Sequence, residues 1–410
     1  MTSAINDVRP QTTSTFPFAR TGSPLHPPAE YARYRDGQPV TRVQMWDGRY
    51  AWIFTRMEDV KAVLSSPHFS VVPSKPGYPF LTPARAATVK SYQTFITMDP
   101  PDHTRFRRML TRDFTQKRME ELRPQIAAYV NRLIDEMLAR GSPGDLVSAL
   151  ALKLPVTVVS MLVGVPYEDH EDLVKWSGQR LDLEQNPTVS ESAADNMLAY
   201  FDGLLQRKER DPGDGADMLS RLVIEQIKPG HLSRLEAIHM VNLLYFAGHE
   251  TTANQIALGT LSFLLDPRQR ALLENNPGLL KNAIEEMLRF HTISHYNSCR
   301  VATADVEVGG TLIREGEGAY ALIMAANRDP AAFPAPDRFD IERPNSQEHV
   351  AFSYGLHMCL GQPLARLELQ VCFEALFRRL PRLRLAVPLE ELPFKREMYV
   401  YGLHALPVTW

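Results

Sequence analysis

A long apolar stretch, residues 236–265 (EAIHMVNLLYFAGHETTANQIALGTLSFLL), predicts a buried helix, yet it carries the polar run GHETT near its middle. A buried Glu250 is costly unless it is paired or hydrated, because a charge loses its solvation there. Gly248 allows another group to lie close to the backbone, and Thr251 is able to bond back to a carbonyl one turn earlier. Two hypotheses stay open: a satisfied polar pair at a helix kink, or an acid and an alcohol beside a groove for a small molecule.

The rest of the chain is also mostly helical in pattern. Residues 102–288 read as helices with breaks at 141–144, 164–166 and 211–215, and a final helix is predicted over 363–380. Alternating residues on both sides of Asp47-Gly48 predict a β-hairpin, residues 65–85 predict a long irregular loop, and strand-like pieces return after Arg300. We therefore expect one α+β domain over residues 1–410, mostly α-helical, with a minor sheet drawn from both ends of the chain.

Composition excludes several classes of protein. With 410 residues, 44% hydrophobic and 23% charged, the chain is neither disordered nor a fibrous repeat. Its net charge of −3 gives no global reason to expect nucleic acid or a membrane surface as a partner. No secretory signal and no membrane-spanning run are visible. Three cysteines, Cys299, Cys359 and Cys372, are too few for a disulfide framework, so a cytoplasmic protein is predicted.

The stretch FSYGLHMCLG, residues 352–361, places Cys359 two residues after a histidine and two before a glycine. A zinc site needs about four ligands, and no second cysteine lies near enough in sequence. A nucleophilic thiolate with His357 as base lacks the third, orienting group that such catalysis normally uses. A buried structural cysteine in a glycine-rich turn is the ordinary alternative. The remaining option is axial ligation of a haem iron by the thiolate.

The neighbours of Cys359 favour haem ligation over the other options. Gly355 permits a tight turn, and Gly361 removes a side chain where a flat macrocycle would press on the backbone. The predicted final helix begins just after the cysteine, with Pro363 early in it, so its free N–H groups and dipole favour an anionic sulfur. Phe352 is placed to keep water from the iron–sulfur bond.

The loop resembles the cysteine-ligand loop of the cytochrome P450 family, F-x-x-G-x-H-x-C-x-G, at every specified position. Further stretches that resemble the family follow in its order along nearly the whole chain: MDPPDHTRFRR, AGHETT, EEMLR, CRVATADVEVGG, AANRDP and FPAPDRFDIERP. The chain is most similar to soluble actinobacterial members. The resemblance implies a haem-thiolate monooxygenase with haem b and O2, built on the cytochrome P450 fold with a long central helix over the haem.

The resemblance also implies roles for individual residues. Glu250 and Thr251 would relay protons to oxygen, and Cys359 would ligate the iron. His103 and Arg107, four residues apart and hence on one helix face, would hold the haem propionates together with Arg300 and His357. Glu286, Arg289 and Arg338 would form a structural triad. The substrate pocket would include Thr94, Ile96, Leu244, Ala247, Ile293 and His295.

The chain has no flavin or nicotinamide domain, so electrons must come from a partner. The resemblance implies a [2Fe-2S] or [3Fe-4S] ferredoxin with its reductase, a monomeric enzyme, and neither a membrane nor nucleic acid as partner. Arg105, Arg108 and Arg112 share one side of a predicted helix, and Arg366 follows Cys359, so a local positive patch for an acidic ferredoxin is predicted.

Two alternatives to a monooxygenase remain. A haem sensor or electron carrier would not need the acid and alcohol of GHETT. FPFAR and the early hairpin also resemble a fungal branch of the family with nitric-oxide reductase activity, but that branch lacks the acid that this chain keeps at Glu250. The substrate is predicted to be a sizeable apolar or mixed molecule, such as a macrolide, polyketide or terpenoid secondary metabolite. Polar residues in HTISHYNS hint at hydrogen bonds to it.

Overall fold

A computed structural model of the chain describes residues 15–83, 85–86, 94–294, 296 and 298–410. Helices dominate this part of the chain, and the short turns of 3-10 and π type lie between them. The α-helices are α1 (Ala29–Gly37), α2 (Met57–Ser65), α3 (Asp102–Thr111), α4 (Gln116–Arg140), α5 (Lys153–Val163), α6 (His170–Leu181), α7 (Pro187–Arg210), α8 (Met218–Leu222), α9 (Arg234–Leu265), α10 (Pro267–Asn275), α11 (Leu280–His291), α12 (Ile323–Ala326) and α13 (Gln362–Arg379).

The strands are short, and all except β4 come from the two ends of the chain, as the sequence predicts. They are β1 (Val40–Gln44), β2 (Tyr50–Phe54), β3 (Phe69–Ser70), β4 (Gly144–Asp145), β5 (Cys299–Ala302), β6 (Val306–Val308), β7 (Thr311–Ile313), β8 (Gly318–Ala321), β9 (Arg384–Leu385) and β10 (Pro407–Thr409). A five-stranded sheet has the order β1-β2-β8-β5-β3, a three-stranded sheet the order β4-β10-β9, and β6 and β7 form a pair. The predicted hairpin is confirmed as β1 and β2, and β2 also pairs in parallel with β8.

Helix α9 runs through the core with residues buried along nearly its whole length. Its start is fixed by a capping box, in which the Ser233 side chain accepts from the N–H of Glu236 and the Glu236 side chain accepts from the N–H of Ser233. Gly248 has no side chain because Val159 of α5 lies against it: a Cβ there would come within 2.9 Å of Val159 Cγ2. The predicted close approach at Gly248 is therefore a helix–helix contact between α9 and α5.

The cysteine loop lies against the end of α2 and leads into α13. Gly355 has φ +72°, and a Cβ at this position would lie 2.8 Å from the carbonyl oxygen of Leu64 at the end of α2. A side chain is excluded there by both conformation and space. Helix α13 then begins at Gln362, with Pro363 in its first turn as predicted, and packs on α4.

The structural triad predicted around α11 differs in one member. Glu286 is fully buried and accepts hydrogen bonds from Arg289, at 2.7 and 2.8 Å, and from Arg343, at 3.1 Å. Arg338 was the wrong choice, because its side chain is 67% exposed and lies 3.7 Å from Asp340. Only the backbone carbonyl of Arg338 enters the cluster, where it accepts from both Arg289 and Arg343.

Candidate haem site

One face of the buried helix α9 is open. Ala247 is exposed, and Leu244 and Thr251 are half-buried, whereas most neighbouring residues of the helix are buried. These three positions are spaced three and four apart, so they form one strip. Thr251 Oγ1 donates to the carbonyl of Ala247 at 2.8 Å, which is the bond one turn back that the sequence predicts. Helix α9 continues past this hydrogen bond without a break.

Cys359 lies in the loop just before α13 and is exposed. Enough protein surrounds the sulfur that burial raises the pKa of the thiol, while the N–H groups of Gly361 and Gln362 and the charges of Arg107 and Arg366 act in the opposite direction. A sulfur with an open side, backbone donors behind it and two cations nearby is suited to ligate a metal as the thiolate.

The loop around the sulfur is held by its own backbone. The N–H of Cys359 donates to the carbonyl of Phe352 at 2.8 Å. The guanidinium of Arg366 lies over the Phe352 ring, 4.7 Å from its centroid. At Gly361 a Cβ would lie 4.0 Å from the sulfur and meet no other atom within that distance. The space beside Gly361 and the sulfur is therefore clear of protein, which fits a flat macrocycle.

A cluster of basic side chains, His103, Arg107, Arg300 and His357, comes together from α3, β5 and the cysteine loop. The rings of His103 and His357 have centroids 4.2 Å apart. Burial first, and then the charges of Arg300, His103 and Arg107, lower the pKa of His357 to about 3. Arg107 donates to the carbonyl of Met358 at 2.6 Å, and Arg300, 5% exposed, donates to the carbonyl of Cys299 at 2.8 Å.

The buried imidazoles of this cluster have polar atoms without partners among the described residues. Both ring nitrogens of His103 and Nδ1 of His357 make no hydrogen bond there. The nearby carboxylate of Asp99 is occupied by Ser70 Oγ, at 2.5 Å, and by the N–H of Val71, at 3.2 Å. Buried ring nitrogens beside two guanidinium groups are suited to bind an anion, and the two propionates of haem have the matching charge. The residues present therefore fit the haem that the sequence predicts.

The acid and the alcohol of GHETT have different surroundings. Glu250 is buried and forms an ion pair with Lys395, and it also accepts from Asn254 Nδ2 at 3.2 Å. Burial alone would raise the pKa of Glu250, but Lys395 and His249 lower it below its usual value. Lys395 lies far from α9 in the sequence, so sequence analysis does not identify it. The only signal is the general rule that a buried carboxylate such as Glu250 needs a partner.

The predicted pocket residues divide into three groups. Leu244 and Ala247 lie on the open strip of α9. Thr94 caps the 3-10 turn Phe95–Thr97, in which Ile96 is 49% exposed, and Ile293 is half-buried with its carbonyl accepting from the N–H of Tyr401 at 2.9 Å. His295 lies outside the described residues.

The arginines predicted to form a docking patch are mostly engaged within the protein. Arg105 pairs with Glu236 at 2.5 Å, Arg112 with Glu225 at 2.9 Å, and Arg366 with Glu285 at 2.7 Å. Arg108 is exposed, and in the part of the chain that the structure describes it has no ion-pair partner. The side chains of the predicted patch thus leave one free cation, Arg108, on α3.

Helix-rich architecture, an open cysteine and a basic cluster suited to propionates together fit the class of haem proteins with a thiolate ligand. Comparison with known proteins identifies the family within this class. The family model described as Cytochrome P450 matches residues 190–385. Cytochrome P450-SU2 of Streptomyces griseolus is 44% identical over 397 residues, which cover 97% of each chain. Pentalenic acid synthase of Streptomyces avermitilis is 43% identical over 96% of this chain and 97% of its own.

A solved structure is similar over the same extent. The mycinamicin VIII C21 methyl hydroxylase MycCI from Micromonospora griseorubida superposes with a TM-score of 0.91 at 36% identity, covering 97% of this chain and 100% of that one. The chain belongs to the cytochrome P450 family and is a monooxygenase with the mostly α-helical fold of that family. Among the described residues, no helix has the length and apolar character needed to cross a membrane.

Proposed function

We propose that this P450 monooxygenase uses haem b and O2 to insert one oxygen atom into a C–H bond or a C=C bond of a sizeable apolar or mixed secondary metabolite. The whole chain, residues 1–410, would act as one P450 domain. The observation that carries the proposal is the pairing of an open Cys359 with a basic cluster in which both ring nitrogens of His103 and Nδ1 of His357 have no hydrogen-bond partner among the described residues.

Each group of residues has a part in holding the haem. Cys359 would supply the iron ligand, with Gly361 leaving space beside the sulfur and Phe352 covering it. Gly355 sets the turn against α2 that brings the loop into place. His103, Arg107, Arg300 and His357 would bind the propionates, which supply the anionic partners for the unpaired ring nitrogens. When bound, thiolate-ligated haem supplies the activation of O2 and the oxygen atom that the substrate gains.

Proton delivery is assigned to Thr251 and Glu250. The Thr251 hydroxyl donates a hydrogen bond to the carbonyl of Ala247, which holds it on the open strip of α9. Its oxygen is still able to accept a hydrogen bond from a proton donor. Glu250, one residue earlier, is the nearest acid in the sequence of the helix and is kept ionised by Lys395. Proton transfer by positioned side chains of this kind is general acid–base catalysis.

The substrate class follows from the pocket and from the relatives. Leu244 and Ala247 give the open strip an apolar surface, and Thr94, Ile96, Ile293 and His295 remain the other proposed pocket residues. Two of the relatives are the mycinamicin VIII C21 methyl hydroxylase and pentalenic acid synthase. Molecules of that general kind, macrolides, polyketides and terpenoids, are the proposed substrates.

Electrons are proposed to come from a [2Fe-2S] or [3Fe-4S] ferredoxin with its reductase, acting on a cytoplasmic, monomeric enzyme without a membrane or nucleic acid as partner. Arg108 on α3 supports a contact with an acidic donor, because it is exposed and follows Arg107 of the propionate cluster.

The spectrum of the reduced protein with carbon monoxide tests the proposal. A red-shifted Soret band of thiolate-ligated haem is expected, and Cys359→Ala should lose it, while Cys372→Ala serves as a matched control because Cys372 is fully buried in α13. A histidine-type spectrum in the unaltered protein would refute the proposal.

A further inference from the structure

The partner of Glu250 comes from a C-terminal segment. Residues 394–403, here called the C-terminal hairpin, fold back on themselves through the bridge between Phe394 and Leu403 and the bond from the N–H of Lys395 to the carbonyl of Gly402, at 2.9 Å. Lys395 and Glu250 have side chains only 11% and 8% exposed. A buried lysine and a buried glutamate of this kind stay charged because they neutralise each other.

The base of the hairpin is pressed onto α9 next to this ion pair. A Cβ at Gly402 would collide with the Asn254 side chain, the same side chain that donates to Glu250. Asn254 also donates to the carbonyl of Glu250 at 2.8 Å. Any shift of the hairpin therefore changes the position of both groups that hold the Glu250 carboxylate.

The outer part of the hairpin is bonded to the end of α6 and to Ile293, one of the proposed pocket residues. The N–H of Leu183 donates to the carbonyl of Glu397 at 2.9 Å, and the N–H of Tyr399 donates to the carbonyl of Leu181 at 2.8 Å, so the hairpin joins the end of α6. The N–H of Tyr401 donates to the carbonyl of Ile293 at 2.9 Å, and Tyr399 Oη donates to the carbonyl of Tyr296 at 3.0 Å. One short segment thus contacts the end of α6, the proposed pocket residue Ile293 and the acid.

From these contacts we infer that Lys395 is a positioning residue through which the C-terminal hairpin couples occupancy of the substrate pocket to the availability of Glu250. With the pocket empty, the ion pair holds the carboxylate away from proton transfer. A substrate that displaces Ile293 moves the hairpin and loosens the ion pair. Glu250 then takes one proton from solvent and gives it to the Thr251 hydroxyl oxygen, and Thr251 gives its own hydroxyl proton to the oxygen co-substrate that is being reduced. This inference rests on the proposed function of Glu250 and Thr251.

The electrostatics of the carboxylate agree with this role. Burial favours the neutral acid at Glu250, and the charges that oppose burial are Lys395 from the hairpin and His249 from α9, with Asn254 adding a hydrogen bond. Without Lys395, burial would dominate and Glu250 would be protonated at higher pH. Lys395 thus keeps Glu250 in its charged form. A lysine that only stabilised the fold would have no effect on the charge of Glu250.

The experiment compares Lys395→Met, Lys395→Arg and Glu250→Gln in the haem-loaded protein, with the exposed Lys228→Met as the matched control. In Lys395→Met, infrared spectra near neutral pH should show a protonated carboxyl band that disappears in the double variant with Glu250→Gln. Electron consumption without substrate should rise several-fold, and the stimulation by substrate should be largely lost. Lys395→Arg should restore both properties in part, and Lys228→Met should behave as the unaltered protein.

The outcomes separate this inference from the proposed function. If Glu250→Gln leaves the ratio of product to consumed electrons unchanged, the proton-relay function itself is wrong. If Glu250→Gln lowers that ratio but Lys395→Met keeps the substrate dependence of the unaltered protein, the coupling through Lys395 is overturned.

Hydrogen exchange of the unaltered protein gives a test that does not depend on a variant folding. A compound that shifts the haem spectrum should change the exchange of the amides of Lys395, Tyr399 and Tyr401. Unchanged exchange at all three amides would overturn the inference.

Discussion

The imidazole rings of His103 and His357 have centroids 4.2 Å apart, although one ring belongs to α3 and the other to the cysteine loop, and the charges of Arg300 and Arg107 act on His357. Burial, followed by the charge of Arg107, lowers the pKa of His103, and the pKa of His357 falls to about 3. Neither ring is charged at neutral pH in the haem-free protein. An arriving dianion reverses this preference, because it stabilises the protonated form of each ring.

Haem binding should therefore take up protons. The propionates raise the pKa of His357 from about 3, so the affinity of the haem-free protein for haemin should increase as the pH falls from neutrality towards that value. Fluorescence quenching by haemin at several pH values measures this. His357→Phe should remove most of the pH dependence, whereas His404→Phe, which changes an exposed histidine paired with Glu397, should keep it. An affinity that is independent of pH in the unaltered protein would contradict the propionate assignment.

Thr251→Ala removes the hydroxyl on the open strip of α9 and should leave haem binding unchanged. Product formation should fall by roughly 10²-fold, the usual contribution of a positioned proton donor, while electrons continue to be consumed and appear as peroxide. Thr252→Ala is the matched control, because Thr252 is buried and its hydroxyl lies 3.5 Å from the carbonyl of Gly248. An equal loss of product in both variants would show that the effect comes from the helix and not from proton delivery.

Charge reversal on α3 should separate a free cation from a paired one. Arg108→Glu should slow reduction by ferredoxin, most clearly at low salt, because rim charges mainly accelerate encounter. Arg112→Glu should have a smaller effect, since Glu225 already neutralises this arginine. Stopped-flow reduction at several salt concentrations makes the comparison, with peroxide-supported turnover as the control for an intact site. Identical rates for both variants and the unaltered protein would place the docking surface elsewhere.

Glu285→Gln should lower the free energy of unfolding, because Glu285 of α11 pairs with His349 and with Arg366 of α13. Burial raises the pKa of Glu285, but hydrogen bonds from His349 and Arg366 overcome this and lower it to about 2 from its ordinary value of 4.5. The stabilisation is therefore present above about pH 4.5 and is lost as the pH falls towards 2. A shift of this size corresponds to about 3 kcal/mol, and a smaller loss of about 2 kcal/mol is expected because Arg366 is partly exposed.

Urea unfolding at neutral pH and at about pH 3 tests this stability difference. The difference between Glu285→Gln and the unaltered protein should shrink at the lower pH. Glu120→Gln, which changes an exposed carboxylate paired with Arg123 on α4, should have little effect at either pH. A constant difference at both pH values would mean that the ionisation of Glu285 does not stabilise the fold.

The parts of the site that lie close together in the sequence could be predicted from it. The cysteine loop, the start of α13 and the bond from Thr251 to Ala247 depend on local spacing, and the structure has them where the pattern indicates. Contacts between distant segments could not be read in this way. Lys395 has no local signal that links it to Glu250, and the two arginines of FPAPDRFDIERP are equivalent by pattern. Only packing buries Arg343 against Glu286 and leaves Arg338 in solvent.

The docking patch shows the same limit. Arg105, Arg108 and Arg112 share spacing and charge, so the sequence treats them alike. Glu236 and Glu225, which pair with Arg105 and Arg112, arrive from α9 and from the π-helical turn before it. Tertiary structure therefore decides which surface charges remain available to a partner.

The parallel pairing of β2 with β8 has a consequence for how the protein is made. The edge of β2 that receives β8 stays unpaired on the ribosome until residues 318–321 have been synthesised, and α13 must follow before it can pack on α4. Such long-range pairings form late and leave strand edges exposed in the meantime. Cys359 also emerges after most of the helices. The nascent chain thus has no complete haem site to offer until Cys359 has been synthesised.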